Sequence, residues 1–315
     1  MMQYVYYVKL IVNIVGLVNL HYLCTKLEKV CNMKRFIYLF IYIVLAISCT
    51  SDKSKAEQNV IYVSIAPIKP LVEGVVGDDF TIKVLVPMGA SPEMFEPTAR
   101  QFVELNEAKF IFGTGLLDFE QQLLKRVHNR SKVIDLSRGI NTISGNCSHT
   151  HNHKHCHHGV DPHIWCSPKS LTTMAQNIHS AVVAAMPDSL HYTTNYNALN
   201  EQLATLDKDV ATMCSNSTLP YFIIYHPALS YLARDYNLQQ VAIENDGKDA
   251  SAKQIAQIIS QARKDGIKRV FFQSEFPESS VSVICEDIGA NAVEINPLSE
   301  DIFSNIRNIV SLITE

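Results

Sequence analysis

No Cys-X-X-Cys pair, no His-Glu-X-X-His stretch and no basic excess occur in the 315-residue chain. The missing cysteine pairs argue against a disulfide framework, since the five cysteines beyond residue 49 are odd in number and scattered, though export would permit a single bridge. The missing histidine motif removes a familiar zinc-hydrolase signature. With 27 Lys and Arg against 31 Asp and Glu, the chain lacks the cationic surplus that nucleic-acid binders carry. Twelve Gly and twelve Pro are too few for a low-complexity or collagen-like chain. At 47% apolar residues it is not a disordered one. Its cleanest apolar run, residues 36–48, is thirteen residues long, whereas a membrane span needs about 20.

That run has a different reading. Met33-Lys34-Arg35 precedes it and Cys49 follows Leu45-Ala46-Ile47-Ser48. A basic start, a short apolar core and a small residue before the break form an export signal. Residues 33–48 are therefore expected to be a lipoprotein signal peptide, with Cys49 lipidated and the chain tethered on the periplasmic side or at the cell surface. Residues 1–32 hold a second apolar stretch broken by Lys9, Asn13, Asn19 and His21, and are read as an over-extended start, an extra membrane anchor being the alternative. Without residues 1–48 the chain has 22 basic and 30 acidic residues, a net charge of −8. That field favours cations as ligands over anionic polymers, and no nucleic acid is expected as a partner.

After a polar tether at 49–59, short apolar runs alternate with helical stretches. Val60–Ala66, Phe80–Val86, Lys109–Gly113 and Lys132–Asp135 read as strands, with helices at Ala99–Ala108 and Phe119–Val127. A long helical region begins at Pro168 and breaks near Pro187-Asp188. Its second part repeats apolar residues at Leu199, Leu203, Leu206 and Val210, one face of a helix. The alternation then restarts with strands at Tyr221–Tyr225, Leu238–Ile243, Arg269–Phe272 and Ala292–Ile295, and helices at Ala252–Lys264 and Pro277–Ile288. The expected fold is α/β: an N-terminal lobe over 60–187, a long rigid linker helix over 188–216 and a C-terminal lobe over 217–315, each lobe a parallel sheet of βα units.

Twelve His is the unusual count, and six of them fall between His149 and His158. Neutral imidazole binds borderline metals such as zinc. The loop over 147–158 is thus expected to capture metal loosely, its alternating spacing preforming no single site. Directly after it comes Asp161-Pro162-His163-Ile164-Trp165, in which His163 is a ligand candidate and Asp161 an acceptor that would orient a ring. His226 ends the strand Tyr221–Tyr225. Pro87-Met-Gly-Ala-Ser-Pro-Glu93-Met-Phe-Glu96 also follows a strand, and one of its carboxylates would complete a site. Ligands of open α/β sheets gather at such strand ends.

Five segments in order carry a resemblance: Val63-Ser-Ile-Ala-Pro-Ile-Lys-Pro-Leu-Val-Glu-Gly74, Gly89-Ala-Ser-Pro-Glu-Met-Phe-Glu-Pro-Thr98, the His-rich loop with Asp161–Trp165, His226–Tyr236, and Ile295-Asn-Pro-Leu298. Together they resemble the solute-binding lipoproteins of zinc/manganese ABC importers, the cluster A-I metal-binding family. The resemblance implies one transition-metal ion held between two lobes, a monomer that docks on an ABC permease served by an ATPase, and no enzyme activity. It implies ligands at Glu93, where the family usually has His, at His163, at His226, and at Asn296, where the family often has Asp. Asp301 or water is the alternative fourth ligand. Zn(II) is the expected cargo and Mn(II) the lesser alternative. A zinc-dependent hydrolase or a surface adhesin are the readings from other classes.

Overall fold

The computed structural model describes residues 59–144, 159–244 and 250–315. The expected signal peptide, the stretch before it, the tether up to residue 58 and the His-rich loop lie outside the described residues. No helix among the described residues is long and apolar enough to cross a membrane.

The chain alternates as the apolar runs require. In order come β1 (Val60–Val63), α1 (Lys69–Val76), β2 (Thr81–Val84), α2 (Ala99–Glu107), β3 (Phe110–Gly113), α3 (Asp118–Arg126) and β4 (Val133–Asp135). Two helices follow, α4 (Pro168–Ala185) and α5 (Leu190–Ser215). Then come β5 (Phe222–Ile224), α6 (Ser230–Asp235), β6 (Gln240–Ala242), α7 (Ala252–Asp265), β7 (Arg269–Gln273), α8 (Ser279–Ile288), β8 (Asn291–Ile295) and α9 (Ile302–Thr314).

The strands make two parallel four-stranded sheets, ordered β2-β1-β3-β4 and β6-β5-β7-β8. The expected α/β fold with parallel sheets is therefore present. The inner strands β1, β3, β5 and β7 are almost wholly buried, while the edge strands are only partly so. This is the burial that helices on both faces impose on a parallel sheet. Both sheets change winding direction beside their second strand, β1 or β5. The crevice at such a point is where open α/β sheets bind ligands.

Helix α5 runs 26 residues, about 39 Å at 1.5 Å each. Its buried stripe of Tyr192, Leu199, Leu203, Leu206, Val210 and Cys214 packs on α1 and α4 toward its start and on α9 further along. Gly74 permits the close approach of α1, because a Cβ there would lie 3.0 Å from Leu199. Arg307 of α9 adds an ion pair to Asp209 at 2.9 Å.

Several differences from the sequence reading concern local geometry. Strand β1 stops at Val63 rather than Ala66, because Ala66–Ile68 turns as a 3-10 helix and leads into α1. Helix α1 buries Leu71, Val72, Val75 and Val76 and was not expected. Nor was α9, which buries Ile302, Ile306, Ile309, Val310 and Ile313.

Candidate metal centre

The segments that leave β2 and β5 and the turn that leads into α4 converge. Glu93 sits in a 3-10 turn, Pro92–Met94, at the end of the segment that leaves β2. His163 stands immediately before a second such turn, Ile164–Cys166. His226 lies two residues beyond β5. One ligand atom from each lies within 4.8 Å of the others.

The separations are informative. His163 Nε2 and His226 Nε2 are 3.2 Å apart. Glu93 Oε1 lies 3.7 Å from His163 Nε2 and 3.6 Å from His226 Nε2. A tetrahedral ion with bonds of about 2.05 Å places its donor atoms about 3.3 Å apart. The three atoms thus stand close to one face of such a tetrahedron.

Each ring is aimed by a carboxylate on its far nitrogen. Asp161 Oδ1 accepts from the His163 backbone N–H at 2.9 Å and pairs with His163 Nδ1 at 2.8 Å. Glu244, buried just past β6, holds His226 Nδ1 at 3.0 Å. These contacts place the ring hydrogens on Nδ1 and leave both Nε2 atoms facing inward. Gln273, at the end of β7, fixes the His226 backbone from both sides, accepting from its N–H and donating to its carbonyl. Phe276 stacks on the His226 ring at 5.5 Å, and Trp165 lies 5.1 Å from the His163 ring.

The electrostatics favour a cation. Burial works against a charged His226. The hydrogen bonds and charges of Glu244 and Glu93 outweigh it and push the ring up to about 10. Burial likewise opposes ionisation of Glu93. Its hydrogen bond to His226 and the neighbouring imidazoles nevertheless hold it below the usual carboxylate range. Asp161 is also held low, against burial, mainly by His163.

The surrounding cavity is about 30 Å³, lined by Glu93, His163, His226, Trp165, Phe276 and Glu275 among others. An organic ligand needs about ten times that or more.

Asn296 is not gathered with the other three. Its side-chain oxygen accepts from the Leu298 N–H at 2.9 Å, and the neighbouring Pro297 and Leu298 form the cavity wall instead. Asp301 caps α9 by accepting from the Ser304 N–H. Sequence reasoning missed Glu244, Gln273 and Glu275. The single signal for them is their position at the ends of β6 and β7, the strands flanking β5.

The model of the periplasmic zinc-uptake complex component A family, ZnuA, matches residues 61–315. The zinc-binding lipoprotein AdcA of Streptococcus pneumoniae is 26% identical over 262 residues, covering 80% of this chain and 52% of that protein. The chain spans about half the length of the curated streptococcal relatives it matches. A crystal structure of ZnuA is 31% identical with a TM-score of 0.73, covering 81% of this chain and 97% of that one. A ZnuA deletion variant lacking its own residues 138–173, with zinc bound, is 31% identical, with a TM-score of 0.73 and coverages of 81% and 96%.

Proposed function

The chain belongs to the ZnuA family of periplasmic zinc-uptake components, and from that premise we propose that it captures Zn(II) between its two sheets and delivers it to an ABC permease driven by an ATPase. The observation that carries the reading is the trio of donor atoms 3.2 to 3.7 Å apart, with both imidazoles locked at Nδ1. Glu93, His163 and His226 are the proposed ligands. The residues fit a borderline dication, since two nitrogens and one carboxylate are a common zinc set.

The protein's own part is to bind, orient and exclude water. Trp165 and Phe276 close the cavity around the ion, and Asp161 and Glu244 keep the rings aimed. Trp165 of the first half donates to the Pro297 carbonyl of the second at 3.1 Å. An ion held by both His163 and His226 therefore joins elements that already touch. Release to the permease requires those elements to part. A lipid anchor on Cys49, a monomeric state and residence outside the cytoplasm belong to the same reading. The lipoprotein relative supports the anchor.

Manganese is the lesser cargo, because imidazole suits zinc and harder oxygen donors suit manganese. A hydrolase needs room beside the ion for its substrate, and about 30 Å³ gives little beyond the ion and a water. The test is competition titration of metal-free protein against a chromophoric zinc chelator. One tight Zn(II) per chain in the cleft, weakened more than 100-fold by His163→Ala or His226→Ala, is expected. Tight binding unchanged in both variants would overturn the assignment.

A further inference from the structure

Three donors on one face of a tetrahedron leave the fourth position open. The choice among the residues nearby is narrow. Ser91 offers only a neutral hydroxyl, Pro92, Ala228, Phe276, Pro297 and Leu298 line the cavity without a side-chain donor, and the Trp165 N–H is committed to the Pro297 carbonyl. Asn296 and Asp301, the positions that sequence reasoning offered, each spend a side-chain oxygen on a backbone N–H of their own loop or helix. Both are exposed.

Glu275 differs from them. It follows β7 by two residues, and β7 is the direct parallel neighbour of β5, which carries His226 at its exit. Its segment already grips His226 twice, through Gln273 on the backbone and Phe276 on the ring face. Glu275 itself lines the cavity beside Glu93, His163 and His226.

Donor type points the same way. Among the residues lining the cavity outside the trio, Glu275 alone carries a carboxylate, and Zn(II) takes Asp or Glu oxygens alongside imidazole nitrogens. Resting on the reading of the cavity as the zinc site, we infer that Glu275 is the fourth metal ligand of this chain, in place of Asn296. Glu275 stands outside the trio of atoms lying within 4.8 Å of one another. Ligation therefore requires its side chain to turn toward the ion.

The test uses the full chain stripped of metal, with Zn(II) and Co(II) as probes. Zn(II) affinity is measured by chelator competition and the Co(II) d–d spectrum reports the donor set. Glu275→Gln is expected to weaken Zn(II) by tenfold or more and to shift the Co(II) bands. Asn296→Ala and Asp301→Ala test the rivals, and a larger loss in either one than in Glu275→Gln overturns the inference. So does Glu275→Gln with wild-type affinity and spectrum while His226→Ala loses the metal. If His163→Ala and His226→Ala both keep it, the cavity itself is wrong and the zinc reading falls first. A zinc-loaded crystal of the unaltered chain decides independently of any variant's folding. A Glu275 oxygen about 2.0–2.2 Å from the ion is expected, and a water or Asn296 there refutes it.

Discussion

Zinc and a proton compete for the same nitrogen of His226, and the outcome is measurable. Glu244 and Glu93 push that ring up to about 10 against the opposing effect of burial. At pH 7 the ring stands about three pH units below that value, so about one neutral ring in a thousand is present. A ligating imidazole must be neutral, so Zn(II) expels the proton on binding. Glu93, held below the usual carboxylate range, is already ionised and adds none. Apparent affinity should therefore rise about tenfold per pH unit between pH 6 and 8, with about one proton released from His226 per ion. Calorimetry in buffers of different ionisation enthalpy counts that proton. Glu244→Gln removes the charge at 3.0 Å from Nδ1. It should lower the ring's pKa, flatten the affinity profile toward pH 8 and cost about 10–100-fold in affinity through looser aiming. The stability of the metal-free fold has the matching sign. A folded-state pKa above the unfolded value of about 6.5 gives stabilisation that is complete below about pH 6.5 and is lost as pH climbs toward about 10. The melting temperature of the metal-free chain should fall across that window. A pH-independent affinity with no proton released would refute this account of the site.

Asp161→Asn leaves one side-chain oxygen where a carboxylate now serves both the His163 backbone and its ring, so Zn(II) affinity should fall about 10–100-fold in chelator competition. An unchanged affinity would mean that the ring needs no such support. Deleting residues 147–158 should reduce the number of zinc ions bound at high concentration and leave one tight site, as counted by equilibrium dialysis. Ser144 and Val160 pair across the base of that segment, so a short Gly-rich hairpin can rejoin them. Loss of the tight ion would place the site in the loop. Trp165→Phe removes the indole bond to the Pro297 carbonyl at 3.1 Å and leaves that acceptor buried. About 1–3 kcal/mol of stability should go with it, seen as a thermal midpoint about 2–10 °C lower. An unshifted midpoint would show that the bond between the halves contributes nothing.

Much of this arrangement was legible from local pattern. The inner strands are short apolar runs and the long helix repeats its apolar residues on one face, so each declared itself within a few residues. Glu93 and His226 stood out because metal-binding residue types follow predicted strand ends, and His163 because it directly follows the His-rich loop. Glu244 and Glu275 did not, because an acid among 31 acids carries no local mark. Their relevance comes from β6 and β7 lying on either side of β5, and strand order is a non-local property. Asn296 shows the opposite effect. Its position matches a ligand site by resemblance, yet the turn closed by the Leu298 N–H takes up its oxygen. Helix α6 has six residues, too few for any period to emerge.

The pairing of the two rings also says why a dication should win over the proton that now balances the site. With both Nδ1 hydrogens committed to Asp161 and Glu244, two Nε2 lone pairs face each other across 3.2 Å. That arrangement is unfavourable unless a positive charge sits between them. A proton can supply one, but it forms a single bond and serves two acceptors at most. A metal ion placed there accepts electron pairs from both nitrogens and from Glu93 at once, at separations the fold already provides. The carboxylates behind the rings are thus as much a part of the preference as the atoms that touch the ion. Removing either one frees a ring to turn its lone pair away from the ion, so the metal loses an aimed donor even as the proton is held less tightly.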